Sequence, residues 1–210
     1  MLEKINTTEN KMKEEKNTID LSIVNAKEKS SKAPFNLIEM FSYQKFLDSK
    51  INNIKPRTLK EIRFSFLAEL VEFNEETPET HKTWKARVID NRKILEELTD
   101  VYFFFSQIVN YLFEKGQGIF SNKSEEEQER IFIKLENNFD TIVNQNFIDD
   151  KMETLLLLSE TVSKKDLDIL FLIKLMSYLT KQYGFTREDI LKSYYDKWKK
   201  NLERIGTEWR

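Results

Sequence analysis

Positions 62–73 read IRFSFLAELVEF and positions 94–104 read ILEELTDVYFF. Both stretches have helical periodicity, with apolar residues returning every three or four positions. In the first, Ile62, Phe66, Leu70 and Phe73 line one face; Glu69 falls at the edge of that stripe and Glu72 further out on the same side. In the second, Ile94, Val101, Phe104, Ile108 and Leu112 form the stripe; Glu97 falls inside it, and Asp100 lies beside Glu97.

A carboxylate on the core face of a helix is costly unless it is paired or bound to a cation. Two helices each carry such an acid and a second acid close by, as Glu69-x-x-Glu72 and Glu97-x-x-Asp100. Between Glu72 and Glu97 lie residues 73–96, enough chain to turn and reverse. Packed antiparallel, the two helices bring four carboxylates together, and a hard divalent cation such as Mg²⁺ resolves their repulsion. The competing reading is that Glu residues at this spacing decorate solvated helix faces by chance.

Outward from this pair, the chain reads as all-α. It has 210 residues with 4 Gly and 3 Pro, too few turn formers for a fold of many short strands. A first helix is expected over 35–54, ended by Pro56, a second over 57–76, and a third over 86–115, stopped by Gly116 and Gly118. Ser124 with Glu127 is a capping box that opens a fourth, reaching 146. A fifth spans 149–160, a sixth 165–183 with Gly184 as its cap, and a seventh follows the Thr186/Asp189 pair to near Gly206. Residues 1–33, rich in Lys, Glu, Asn, Ser and Thr, read as a flexible tail before a helical domain over 34–210.

The hydrophobic fraction is 40%, with 16 Phe, 7 Tyr and 3 Trp to fill a core. The net charge of −2 gives no long-range pull toward nucleic acid or an anionic membrane. With no Cys there is neither a disulfide nor a thiolate nucleophile. The first 15 residues lack the apolar core of a signal peptide, and the run at 169–179 is broken by Lys174 and too short to span a bilayer. A cytoplasmic protein is the expectation. No G-x-x-x-x-G-K-[ST] loop occurs, which excludes a P-loop enzyme.

In the last helix Lys197, Asn201 and Arg204 share a face, with Tyr194 on the same side, apart from an apolar stripe of Leu191, Tyr195, Trp198, Leu202 and Ile205. Such a face grips a polyphosphate, Arg as a fork and Lys as a point charge; equally, cations suit a solvated helix C-terminus. Phe104, one turn after Asp100, is the candidate to stack on a base. Asn110 is a candidate polar contact, although it projects away from the acids. His81, the lone His, reads as solvent-facing.

Glu69-x-x-Glu72, a spacer and Glu97-x-x-Asp100 resemble the all-α NTP pyrophosphatases, and three further segments resemble the dimeric dUTPases among them. The helix Met40 to Ile51 is similar to that family's opening helix, in which a Gln followed by Leu-Asp helps read uracil; Gln44 is the matching position. Lys82-Thr83-Trp84-Lys85 is similar to a segment whose Trp lies near the nucleotide, though Trp84 can equally anchor its loop. The C-terminal stretch 194–209 resembles a motif in which Lys197, Asn201 and Arg204 match, while Trp198, Ile205, Glu208 and Trp209 depart from it and Phe103 stands where a His is common. The resemblance covers about 35–113 and 185–209, leaving residues 116–180 as a variable helical segment.

The resemblance implies a four-helix catalytic core with added helices, a homodimer, and Mg²⁺-dependent conversion of dUTP, with dUDP also allowed, to dUMP. Glu69, Glu72, Glu97 and Asp100 would hold the metal and Gln44, Trp84, Phe104, Asn110, Lys197, Asn201 and Arg204 the nucleotide. A MazG-like pyrophosphatase of other nucleotides and a non-catalytic helical scaffold are the alternatives. The middle segment carries no residues that show a regulatory partner.

Overall fold

The computed structural model describes residues 32–51, 55–86, 88–140 and 150–205. The expected tail up to residue 31, the end of the fourth helix at 141–146 and the chain beyond Ile205 lie outside the described residues. Within them the secondary structure is helical, with no strand. The helices are α1 (Leu37–Ile51), α2 (Leu59–Glu76), α3 (Asn91–Glu114), α4 (Glu125–Asp140), α5 (Lys151–Ser163), α6 (Ile169–Gln182) and α7 (Arg187–Arg204), with one 3₁₀ turn at Gly118–Phe120. None of them is long and apolar enough to cross a membrane.

Local chemistry sets most boundaries. Reciprocal bonds between Thr58 and Glu61 and between Thr186 and Asp189 form capping boxes at the starts of α2 and α7. Ser124 and Glu127 exchange the same pair of bonds ahead of α4. The third helix starts at Asn91 rather than 86, because the Asp90 side chain accepts from the Arg92 N–H and residues 88–90 stay non-helical. Gly116 and Gly184, with φ of 55° and 77°, end α3 and α6. At each, the next residue's N–H closes back on the helix, Gln117 to Leu112 and Phe185 to Thr180.

α3 is the axis of the bundle. It packs along α2 and also against α1 and α7, which pack on each other. α4, α5 and α6 form an outer group, α5 reaching α2 and α4 reaching α1. The core stripes Ile62/Phe66/Leu70/Phe73 of α2 and Ile94/Val101/Ile108/Leu112 of α3 are buried. Burying side chains of this size stabilises by about 1.5–3 kcal/mol each. Tyr102 donates or accepts with Thr180 at 2.9 Å, and Thr99 donates to Ser193 at 2.8 Å, tying α3 to α6 and α7.

The turn between α2 and α3 is fastened by buried Asn74. Its amide donates to the Glu79 carbonyl at 3.1 Å and accepts from the His81 N–H at 2.9 Å. His81 is exposed and adds a ring-nitrogen contact to the same Asn74 oxygen. This reversal makes α2 and α3 antiparallel neighbours, which is what brings the acids of one opposite those of the other.

Candidate active site

Glu69 of α2 and Glu97 and Asp100 of α3 present carboxylate oxygens all within 4.8 Å of one another. All three are half-buried. Burial, followed by the charges of Asp100, Glu72 and Glu97, pushes the Glu69 carboxyl up to about 7. Glu97 and Asp100 are also raised, by burial first; in both the Lys197 ammonium pulls the other way, and neighbouring acids add to the rise. Glu72 is exposed on the solvent side, one turn from Glu69; its charge is felt by all three acids, but the compact group does not include it.

These acids repel one another, and the cation facing them is Lys197 of α7. Its ammonium pairs with Asp100 and donates to the Glu96 carbonyl at 2.8 Å. Three hard oxygen donors from two rigid helices suit a Mg²⁺-sized cation by donor type, since carboxylate and water ligands suit Mg²⁺, Mn²⁺ and Ca²⁺. Residues with strongly displaced proton affinity, clustered by like charge in one place, are candidates for a functional site.

Asn201 follows Lys197 by one turn on α7 and is half-buried; Arg204, a further turn on, is exposed. Tyr194 lies below this face. It is fully buried, stacks on Phe103 with centroids 4.2 Å apart and donates to Gln44 Oε1 at 2.9 Å. Phe103, in the place of the family's frequent His, thus supplies a stacking surface to the core. Trp198, the other conspicuous departure, is also fully buried, donating to the Tyr43 carbonyl at 3.0 Å.

Gln44 is 1% exposed and has both ends of its amide engaged, accepting from Tyr194 and donating to Asp48 at 2.8 Å. Phe104 is half-buried, packed against the core at the edge of the stripe, and the Arg57 guanidinium sits 5.1 Å from its ring centre. Asn110 donates to the Phe41 carbonyl at 2.9 Å, a tie between α3 and α1. Trp84 is 74% exposed, so the loop-anchor reading does not describe it.

Three residues next to this site carry no motif of their own. Gln107 donates to Asp48 at 2.8 Å and accepts from Arg57 at 3.0 Å. Gln107 falls seven residues after Asp100, hence on the same helix face, a spacing visible in the sequence. Arg57 precedes α2 and has no periodic signal, and Asp48 is visible only as part of the Leu-Asp pair.

With the geometry in place, comparison with known proteins adds one match. A family model described as dUTPase matches residues 36–209, running through the middle segment in which the sequence shows no motif. Comparison with curated proteins gives no match. The match spans most of the chain and agrees with the helical bundle and its paired acidic helices: this chain belongs to the dimeric, all-α dUTPase family and is a dUTP diphosphatase.

Proposed function

We propose that the chain hydrolyses dUTP, and also dUDP, in a Mg²⁺-dependent reaction in the cytoplasm, with Glu69, Glu97 and Asp100 as the inner metal ligands and Glu72 as the outer one. The observation that carries this reading is the approach of three carboxylates to within 4.8 Å across two helices. A divalent cation bound there polarises phosphoryl oxygens and offsets the charge that develops on them. The protein's own groups do the rest. Glu69, on the α2 side of the group, is placed to orient an attacking water as its base. Lys197 and Arg204 stabilise negative charge on the departing phosphate, with Asn201 as a polar anchor between them. Lys197 is already held at the edge of the acidic group by Asp100, so it needs little reorganisation.

Gln44 helps read the base through the network it shares with Asp48, Phe104 stacks on it, and Asn110 steadies the wall behind. Trp84 covers the bound nucleotide. The enzyme acts as a homodimer: Phe64 and Val71, 75% and 51% exposed on the outer face of α2, give an apolar surface suited to a second copy. Light scattering of the purified chain checks the dimer.

The test of the activity is pyrophosphate release from dUTP beside dTTP, dCTP and dATP, and phosphate release from dUDP, with and without Mg²⁺. Selective, Mg²⁺-dependent turnover of the uracil nucleotides is expected. Equal turnover across the panel favours a broad pyrophosphatase, and no turnover favours a helical scaffold.

A further inference from the structure

The hydrogen bonds around Asp48 all point one way. Arg57 donates from Nη1 to Gln107 Oε1 at 3.0 Å, and Gln107 donates from Nε2 to Asp48 Oδ1 at 2.8 Å. From the opposite side Tyr194 donates to Gln44 Oε1 at 2.9 Å, and Gln44 donates from Nε2 to the same Asp48 Oδ1 at 2.8 Å. A guanidinium has no acceptor, so Arg57 fixes which end of the Gln107 amide faces Asp48. The chain joins four elements, the lead into α2, α3, α1 and α7, and delivers two donors to one carboxylate oxygen. Such polarised chains strengthen bond by bond in a low-dielectric interior. They stabilise a negative charge on Asp48.

Both bonds fall on Oδ1. A carboxylate has about four lone-pair sites, so acceptor capacity remains. Asp48 and Gln107 line a cleft of about 300 Å³, together with Arg57, Ile62, Asn110 and Tyr111. That volume is at the lower bound for small-molecule sites, roughly 300 Å³. Gln107 lies seven residues beyond Asp100 on α3 and Ile62 seven residues before Glu69 on α2, so the cleft is about 10 Å along the helices from the acidic group. That separation is within the reach of a nucleotide whose phosphates lie at the acids.

We propose that Gln107, with Arg57 behind it, is a specificity-determining residue: it holds Asp48 as an ionised acceptor with the Gln107 amide beside it in the cleft, an arrangement complementary to the N3–H and a neighbouring carbonyl oxygen of uracil and opposed to the unprotonated N3 of cytosine. The inference rests on the reading of this chain as a uracil-nucleotide hydrolase and deepens it. Burial pushes the Asp48 carboxyl up to about 7, while the bonds from Gln44 and Gln107 and the charge of Arg57 hold it down. Among the described residues, the other charged or titratable groups about it are Glu114 of α3, which raises it and is itself paired with Lys45 at 3.1 Å, the Tyr194 hydroxyl of α7, and Tyr111 and Lys115 in the lining of the same cleft. Loss of the Gln107 donor therefore moves the ionisation of Asp48 to higher pH and leaves less of the acceptor form at neutral pH.

The test uses the full chain with Gln107→Met and Gln107→Glu, measuring kcat and KM for dUTP and dCTP from pH 6 to 9. Gln107→Met removes both amide bonds. Gln107→Glu keeps the acceptor for Arg57 and replaces the donor to Asp48 by a like charge. The expected result is a fall of about tenfold or more in the dUTP-over-dCTP ratio of kcat/KM, carried by KM, with kcat for dUTP within about threefold of the wild type. The rise of KM for dUTP on acidification should begin at higher pH in both variants, more so in Gln107→Glu. Both variants keeping the wild-type ratio and the wild-type KM profile, whatever their melting temperatures, would overturn the proposal while leaving the dUTPase reading intact. A wild-type chain inert toward dUTP overturns both.

Discussion

Glu136 on α4 and the acidic group of α2 and α3 are both half-buried carboxylates, and they are built oppositely. Glu136 on α4 accepts from the backbone N–H groups of Leu37 and Ile38 at the start of α1, at 3.3 and 3.2 Å, and from Arg187 at 3.1 Å. It caps a helix from a distance, and its charge is answered by donors and by the positive end of α1. Glu69, Glu97 and Asp100 are buried to a comparable degree but face one another, with Lys197 as the cation bonded to Asp100. Burial raises the carboxyls at both places. What separates a site from a structural acid is therefore the surroundings: one acid is satisfied by the fold, and the other group needs a partner that the fold does not supply.

That contrast can be broken from either side. Asp100→Asn keeps the volume and removes one ligand charge; kcat is expected to fall roughly 10³-fold, with the melting temperature little changed because relief of repulsion among the acids offsets the weakened pair with Lys197. Steady-state assay with dUTP and Mg²⁺ alongside thermal unfolding checks both halves. Glu136→Ala has the reverse signature. It leaves two helix N–H groups unpaired while Arg187 keeps Asp140 at 2.7 Å, and unfolding by denaturant should show a loss of about 2 kcal/mol, with turnover per folded molecule unchanged. Lys197→Met removes the cation bonded to Asp100; kcat/KM is expected to fall about 10²-fold, and the activity limb governed by the acids should move to higher pH. Thr186→Ala deletes one half of a capping box remote from the acids and should cost about 1 kcal/mol of stability without touching kcat.

Features written in adjacent residues are legible in the sequence. The pairs Thr186/Asp189 and Ser124/Glu127 and the turn at Gly184 announce helix ends, because the bonds that make them span three to five residues. The acidic pairs are legible for the same reason, as periodicity places them on one face. The start of α3 is harder to read: residues 86–90 carry apolar side chains that mimic helical spacing, while the Asp90 cap decides the matter. A helical projection also cannot tell which neighbour covers a face. Tyr194 shares a side with Lys197 in projection, yet α1 and Phe103 enclose it; Phe104 projects into the stripe, yet faces Arg57. The Asp48 network joins residues 59 and 150 positions apart, and no local pattern encodes it.

The most direct test is thermal unfolding of the full chain at pH 6 and pH 8, with and without Mg²⁺, for the wild type and Glu69→Gln. Glu69 has an ordinary value of 4.5 and a folded value of about 7. The folded state therefore binds more protons between those limits, and the metal-free protein loses stability as pH rises through them. Mg²⁺ competes with those protons. The account predicts a Mg²⁺-dependent rise in melting temperature that is large at pH 8, small at pH 6, and much reduced in Glu69→Gln. A wild type that ignores Mg²⁺ at pH 8, or a Glu69→Gln protein that responds as fully as the wild type, would contradict it.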